Sequence, residues 1–549
     1  MKAYLMYPDS DFDLARALPA NAVTLRQDLG LDTLFLAMAS GDAFLLDVAV
    51  KGFFSSADGP GGVRYRQEIL ADCIAQPAVV REVYAIAVEA IERERRVWGT
   101  TLSRYPESML RRSVDVLDLF LGLLKRLRGI ADAHGGDFRS EGFTRFFRMV
   151  ATELDDAYLQ RVEDHIERLR FRDGVLMSAE LGQGNRGTRY VLRRTRTARR
   201  SLRERLALWD RSGYVYRVAD RDQAGLEALT ELQGRGLSLA AAALAQSTDH
   251  ILSFFSLLRA ELGFYLGCLN LHERLVAKGE PVCFPDPLPA GRPELTCVGL
   301  YDVCLSLLVA DRVVGNDVMA ADRSLVVITG ANRGGKSTFL RSVGIAQLLM
   351  QCGMFVPAVA YRADMRDGIF THFKREEDPG MRSGKLDEEL SRMSAIVDAL
   401  TPGGMVLLNE SFASTNEREG SEIARQIVRA LVEAGVKVAY VTHMFDLAHG
   451  FYGQGLPTVL CLRAERTADG ERTFRVLEGE PLPTSHGVDI YRRVFAAQHG
   501  PGSGDPGPVG SLAVASSRTT HPRAASHPAP RDLEQAEAPA SPDSGKEQS

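Results

Sequence analysis

Apolar residues recur at helical spacing through the first third of the chain. Tyr84, Val88 and Ile91 fall at i, i+4 and i+7 within a helical pattern running from Leu31 to about Trp98, and Leu117, Phe120, Leu121 and Leu124 mark another such face. Between Gly174 and Arg194 the period shortens. There Val175-Leu176-Met177 and Tyr190-Val191-Leu192 flank the turn-rich Gly182-Gln183-Gly184-Asn185-Arg186-Gly187, which predicts a β-hairpin set into a helical region. Helical spacing resumes from Ser201, and Ile251, Phe254, Phe255, Leu258, Leu262 and Tyr265 form the stripe of one long helix or two between Ala240 and Leu275. Such stripes pack helix against helix, and no ligand is assigned to them. Past Pro285-Asp286-Pro287 the pattern changes again. Apolar runs of strand length, Leu325 to Ile328, Met405 to Leu408 and Val436 to Val441, alternate with helical stretches, which predicts a sheet covered on both faces.

The chain has 549 residues, too many for one core, and about three folding units are expected. Charged residues make up 25% and hydrophobic ones 45%, with a formal net charge of −5. That balance excludes a uniformly basic coat, so any polyanion site must be local. Asp9, Asp11 and Asp13 stand where a secretory leader would be basic and apolar, and no apolar run reaches membrane-spanning length. A cytoplasmic location without membrane contact is expected. Seven cysteines lie scattered with no CxxC pair and no Cys/His metal spacing, the pattern of reduced thiols. From about His499 to Ser549 Gly, Pro, Ser and Ala dominate, a composition that buries too little apolar area to offset chain entropy. That tail is expected to be disordered.

The strongest chemical signal is Gly330-Ala331-Asn332-Arg333-Gly334-Gly335-Lys336-Ser337, set between the strand-like run Leu325 to Ile328 and the helix-forming stretch Thr338 to Cys352. This is a complete phosphate-binding loop. Its glycines permit the tight turn that aims successive N–H groups at a β-phosphate, Lys336 reaches the β and γ oxygens, and the Ser337 hydroxyl suits Mg²⁺. A Gly-rich turn that merely contains Lys-Ser is the alternative, and the flanking strand and helix argue against it. A second apolar strand ends in Asn409-Glu410, which delivers two acceptors to the same sheet edge, where Glu410 orients or deprotonates the attacking water. A third ends in Thr442-His443, with His443 read as a donor to the γ-phosphate or a holder of water. A strand-end histidine is by itself more often structural; the grouping of the three motifs favours function.

Thr329 to Thr338, then Gly353-Met354-Phe355-Val356-Pro357-Ala358, then Asn409-Glu410 with Ser414-Thr415-Asn416, and finally Thr442-His443-Met444 follow in an order that resembles the ATPase domain of the MutS mismatch-repair family. Asn316-Asp317 and Ser485-His486-Gly487 fit the same pattern. Upstream, Asp32-Thr33-Leu34 and Arg64-Tyr65-Arg66-Gln67 with Leu70 resemble the start of that family's helical core and lever region. The resemblance runs over residues 310 to 495 and extends through 30 to 300. It implies a multidomain α plus α/β chain: a helical core and lever region over 1–295 with an inserted β-hairpin, clamp-like, near 165–215; an ABC-type P-loop ATPase domain over 296–498; and the tail over 499–549.

The implied activity is Mg-dependent ATP hydrolysis between the subunits of a homodimer, driving a clamp on double-stranded or branched DNA in repair or recombination. Gly330, Ala331, Asn332, Arg333, Gly334, Gly335, Lys336, Ser337, Thr338 and Asn316 would hold ATP. Lys336, Glu410 and His443 would act in catalysis, and Ser337, Asn409 and Glu410 would hold Mg²⁺. Ser383 and Gly384 head a helix carrying Leu386, Leu390, Met393 and Val397, and would approach the opposite subunit's γ-phosphate as the signature segment; a plain N-cap is the alternative. Three departures matter. The lever-like pattern begins near residue 31, so the mismatch-reading and connector domains are not expected. Asn409 replaces an acidic residue, which weakens metal affinity or slows turnover. Val313-Val314 stand where an aromatic usually stacks on adenine.

Between Arg186 and Arg205 nine arginines, Arg186, Arg189, Arg193, Arg194, Arg196, Arg199, Arg200, Arg203 and Arg205, face the single acid Glu204. This local polyanion footprint would hold a duplex by its phosphates without reading sequence. The alternative is a solvated face paired with Glu153, Asp155, Asp156, Glu163 and Asp164. Two other readings of the whole chain stay open: a nucleotide-gated scaffold that binds protein partners and hydrolyses little, and another ABC-type chromosome-organising or transport ATPase. Salt separates the arginine readings. With about five arginines on phosphates, log affinity for duplex DNA falls against log salt with a slope of about −4 to −5, whereas internal ion pairs leave a flat titration.

Overall fold

The helical spacing at the start of the chain becomes α1 (Ala22–Leu29), α2 (Leu31–Ala39), α3 (Ala43–Phe53), α4 (Gly59–Ala75), α5 (Pro77–Trp98), α6 (Pro106–His134), α7 (Glu141–Glu153) and α8 (Asp156–Leu169). The computed structural model describes residues 1–98, 106–172, 174–193, 217–219, 221–375, 384–467 and 471–483. Polar side chains start several of these helices at the N–H groups that no turn can satisfy. Asp42 accepts from Phe44 N and Leu45 N, Ser140 from Phe143 N, and Asp155 from Tyr158 N. The stripe between Ala240 and Leu275 belongs to one 55-residue helix, α9 (Gln223–Ala277), started by Asp222. Phe254, Phe255, Leu258, Leu262 and Tyr265 are buried along it. By length and composition α9 also passes for a membrane span, yet 67% of its most apolar window is buried inside the protein.

The short-period segment forms an antiparallel pair, β1 (Met177–Leu181) and β2 (Gly187–Leu192), with Met177 opposite Leu192. Gly184, at φ +70°, supplies the left-handed residue of the connecting turn. Residues 201–216, where helical spacing was expected to resume, Ser485-His486-Gly487 and the C-terminal tail all lie outside the described residues.

The remainder is mixed α/β. One sheet holds β3 (Asp286–Leu288), β4 (Leu295–Leu300), β5 (Asn316–Met319) and β7 (Ala360–Asp364) in the order β3-β7-β4-β5. The larger sheet runs β12 (Arg472–Glu478), β11 (Val459–Arg466), β6 (Leu325–Thr329), β10 (Lys437–Val441), β9 (Met405–Asn409), β8 (Ile369–Phe373). Its strands are parallel except β12, which pairs antiparallel with β11. Every residue of β6 and β10 is buried, as central parallel strands covered on both faces require. The connecting helices are α10 (Val303–Leu308), α11 (Lys336–Gln351), α12 (Lys385–Ala399), α13 (Glu417–Glu433) and α14 (Phe445–Tyr452). One face of the sheet joins α11 and the helical half in a common core, and the other packs Met393, Val428 and Leu447 from α12, α13 and α14.

Arg66 ties the helical half to the sheet. It is fully buried, and its guanidinium donates to Met6 O at 2.7 Å, Ser55 O at 2.6 Å and Cys352 O at 3.2 Å. The next residue, Gly353, has φ +81°, and a Cβ there would sit 2.4 Å from Arg66 Cβ. Gly353→Ala therefore meets both a steric and a conformational penalty and lowers stability by about 1–3 kcal/mol. Urea unfolding reads the effect directly, and an unshifted midpoint would show this junction to be slack.

Candidate nucleotide site

The glycine-rich loop runs from the end of β6 into the start of α11. Gly330, Arg333 and Gly335 take φ values of +119°, +60° and +91°, which reverse the chain within a few residues. A side chain at Gly330 would strike β11, because a Cβ there lies 2.8 Å from Ala464 Cβ. Lys336 is buried and folds back over the loop, its Nζ donating to Gly330 O at 2.8 Å and Ala331 O at 3.0 Å. Burial lowers its pKa, and the charge of Glu410 opposes that shift. The two carbonyls bond the ammonium without neutralising it, and the N-terminus of the 16-residue α11 favours an anion at the same point.

Parallel register sets the other groups beside the loop. Val441 lies opposite both Ile328 of β6 and Asn409 of β9, so the carboxyl ends of the three strands stand side by side. Ser337 Oγ donates to Asn409 Oδ1 at 2.8 Å. Glu410, at φ +53°, is anchored by its N–H to Val441 O at 2.8 Å. A cavity of about 520 Å³ is lined by Asn332 to Thr338, Glu410 and Asn316 together with Arg312, Val313 and Val314. Asn316 is buried and accepts from Val476 N at 2.7 Å, joining β5 to β12. Glu280 fixes the Val313 segment by accepting from Val313 N at 3.0 Å. The oxygen donors Ser337, Asn409 and Glu410 form a hard set suited to Mg²⁺ completed by phosphate and water oxygens.

Several expected residues fall elsewhere. His443 is exposed beyond the end of β10, does not line the cavity, and its ring has no hydrogen-bond partner among the described residues. Gly384 is the exposed N-cap of α12 and also stands outside the cavity, while Ser383 lies outside the described residues. Of the arginine run, Arg186, Arg189 and Arg193 are exposed on the hairpin, and Arg194, Arg196, Arg199 and Arg200 lie outside the described residues. Arg189 pairs with Glu180 at 3.3 Å and Arg193 bonds Ser178 at 2.8 Å, both within the hairpin. Among the described residues, Glu153, Glu163 and Asp164 pair with Met1 N, Lys125 and Arg168.

Two features escaped sequence reasoning. Phe474 of β12 sits at φ +60°, half exposed, on the cavity wall, with its backbone against Gly335. The available signal was an isolated aromatic within a polar strand, Arg472-Thr473-Phe474-Arg475. Behind Glu410, His372 of β8 is buried; its Nδ1 lies 2.8 Å from Ser411 Oγ and its Nε2 3.0 Å from Glu389 O. Burial, with Arg392 and Arg375 adding repulsion, pushes the ring's pKa down to about 4.

The family model described as MutS2 N-terminal domain matches residues 59–278, and that described as MutS domain V matches residues 326–496. A DNA mismatch repair protein MutS from Thermus aquaticus is 35% identical over 180 residues, 32% of this chain and 22% of that protein. One from Thermotoga petrophila is 40% identical over 136 residues, 24% of this chain and 17% of its own length. A DNA mismatch repair protein MutS 2 from Halobacterium salinarum is 32% identical over 174 residues, 31% of this chain and 20% of its own. The chain thus matches about a fifth of the length of these relatives.

His372 gives the site a pH signature. Because its folded pKa lies below the unfolded value of 6.5, the fold prefers the neutral ring. Stability from this group is complete above about pH 6.5, declines as the unfolded chain takes up the proton first, and levels off near pH 4, a total of about 3 kcal/mol. Denaturant unfolding at pH 7.5 and 4.5 should lose roughly that much more in the native chain than in His372→Gln. Equal losses would mean the ring is freely protonated.

Proposed function

Because the chain belongs to the MutS family, we propose that it is a DNA-associated, Mg-dependent ATPase, with residues 1–295 forming a helical core and lever region and 296–498 an ATPase domain. Two copies close over ATP, and hydrolysis reopens a clamp built from the hairpin segment and the arginine run. The observation that carries this reading is the buried Lys336 ammonium, bonded to two loop carbonyls and sharing one cavity with Ser337 and Glu410.

In the proposed cycle, Lys336 releases the loop carbonyls and turns to the β and γ oxygens, while the loop N–H groups and the N-terminus of α11 hold the β-phosphate. Ser337 parts from Asn409, and both face the Mg²⁺ site. Ser337, Asn409 and Glu410 would hold Mg²⁺ there, and the ion would supply positive charge against the phosphate oxygens. Glu410 takes the proton of the attacking water. The adenine packs against the part of the lining that Phe474, Val313 and Val314 provide, so Phe474 supplies the aromatic surface that the segment before Asn316 lacks. His443 and the Ser383-Gly384 segment act only after the dimer closes, which accords with His443 and Gly384 standing outside the cavity of one subunit. The exposed Arg186, Arg189 and Arg193, with the rest of the run, hold DNA phosphates.

A nucleotide-gated scaffold is the second reading, favoured by Asn409 and by His443 lying away from the cavity. Turnover decides between them. Glu410→Gln should bind ATP normally and hydrolyse it about 10²- to 10⁴-fold more slowly, accumulating closed dimers in sedimentation. Lys336→Ala should lose ATP binding in equilibrium titration. Full turnover in the first variant removes Glu410 from its role, and unchanged affinity in the second removes the loop assignment. A wild-type protein that binds ATP and shows no hydrolysis with or without duplex or branched DNA would favour the scaffold.

A further inference from the structure

We propose that His372 is a positioning residue for hydrolysis, tying the turn that carries Glu410 to α12, the helix whose start is read as meeting the opposite subunit; the proposal rests on the ATPase reading. Glu410 and Phe412 sit at φ +53° and +63°, a left-handed backbone that non-glycine residues keep only where the surroundings over-determine it. Ser411, between them, is fully buried. Its Oγ meets His372 twice, at the backbone O (2.7 Å) and at ring Nδ1 (2.8 Å), while its carbonyl accepts from Tyr440 Oη at 2.6 Å. The His372 ring also stacks on Phe412, with centroids 5.4 Å apart and planes 18° from parallel.

The other edge of the ring faces α12. Glu389 O can only accept, so Nε2 carries the proton of the neutral ring, and Nδ1 and His372 O then share the single hydroxyl proton of Ser411. Glu389 stands one turn after Gly384 in the helix that Gly384 caps, and its buried carboxylate accepts from Ser414 Oγ at 2.8 Å. Two bonds thus join α12 to the segment after Glu410. One passes through the His372 ring to Ser411 and the other reaches Ser414 directly. A shift of α12 when its N-terminus is engaged pulls on both, and the imidazole passes the movement to the residue bonded to Glu410 itself. His372, Ser411, Glu389 and Ser414 do not line the cavity, which is why a loss here should appear in turnover and not in binding.

The test measures single-turnover hydrolysis and the affinity for a fluorescent ATP analogue on the full chain. His372→Ala should lower the hydrolysis rate about 10²-fold, the loss associated with a misplacement of about 1 Å, and leave the dissociation constant unchanged. His372→Asn, whose amide oxygen stands in for Nδ1, should recover part of that rate, and it carries the comparison if the alanine variant does not fold. Ser411→Ala should match the loss, and the double variant should be no slower than the slower single, since both break one connection. An unchanged rate in His372→Ala, or losses that multiply, would overturn the proposal. Amide hydrogen exchange supplies an arm independent of activity. In His372→Asn, exchange at 410–412 and at 389–393 should rise together, with 330–337 unaffected; a rise confined to one segment also overturns it. Absence of hydrolysis in the wild-type chain would count against the ATPase reading, while the exchange result still decides the tie.

Discussion

The cavity depends on β10 lying between β6 and β9 in parallel register. Because Val441 stands opposite both Ile328 and Asn409, the loop after β6 and the acceptors after β9 emerge at the same height on one edge of the sheet. A slip of one residue in either pairing would turn alternate side chains to the wrong face and separate Ser337 from Asn409. The full burial of β6 and β10 is what fixes that register, since both faces would have to repack to change it. The chemistry at the edge is thus secured by apolar residues that never meet the cavity.

Much of this was legible in the chain because it is written in contiguous segments. The runs at Leu325, Met405 and Val436 show strand length and composition locally, and the observed strands differ from them by a residue at one end. Lys336, Ser337, Asn316 and Glu410 were named from motifs and share one site, since a loop between a strand and a helix has few ways to fold. His443 was placed by the same logic, and it stands exposed past its strand. A strand end fixes a residue's height on the sheet and leaves open which way the side chain turns.

What stayed hidden is tertiary. Phe474 reaches the cavity because an antiparallel edge strand lies against the loop, a pairing between residues more than a hundred positions apart. His372 reads as one of two adjacent polar residues in an otherwise apolar strand, and nothing nearby announces Ser411 or Glu389 as its partners. Arg66 likewise belongs to a helix of mixed composition, and only the fold reveals that its charge is spent on three carbonyls from separate segments. Buried polar groups of this sort satisfy one another across long sequence distances, which local patterns do not record.

The length of α9 has a mechanical consequence. Its densest burial begins at Phe254, and the portion back to Gln223, some 45 Å at 1.5 Å per residue, carries a second small core in which Leu237 and Ala241 pack with Leu110 and Leu192. A tilt of about 5° at the base therefore carries the tip through about 4 Å. Displacements at the root too small to disturb core packing become, at the far end, shifts of several ångströms beside the hairpin that packs there.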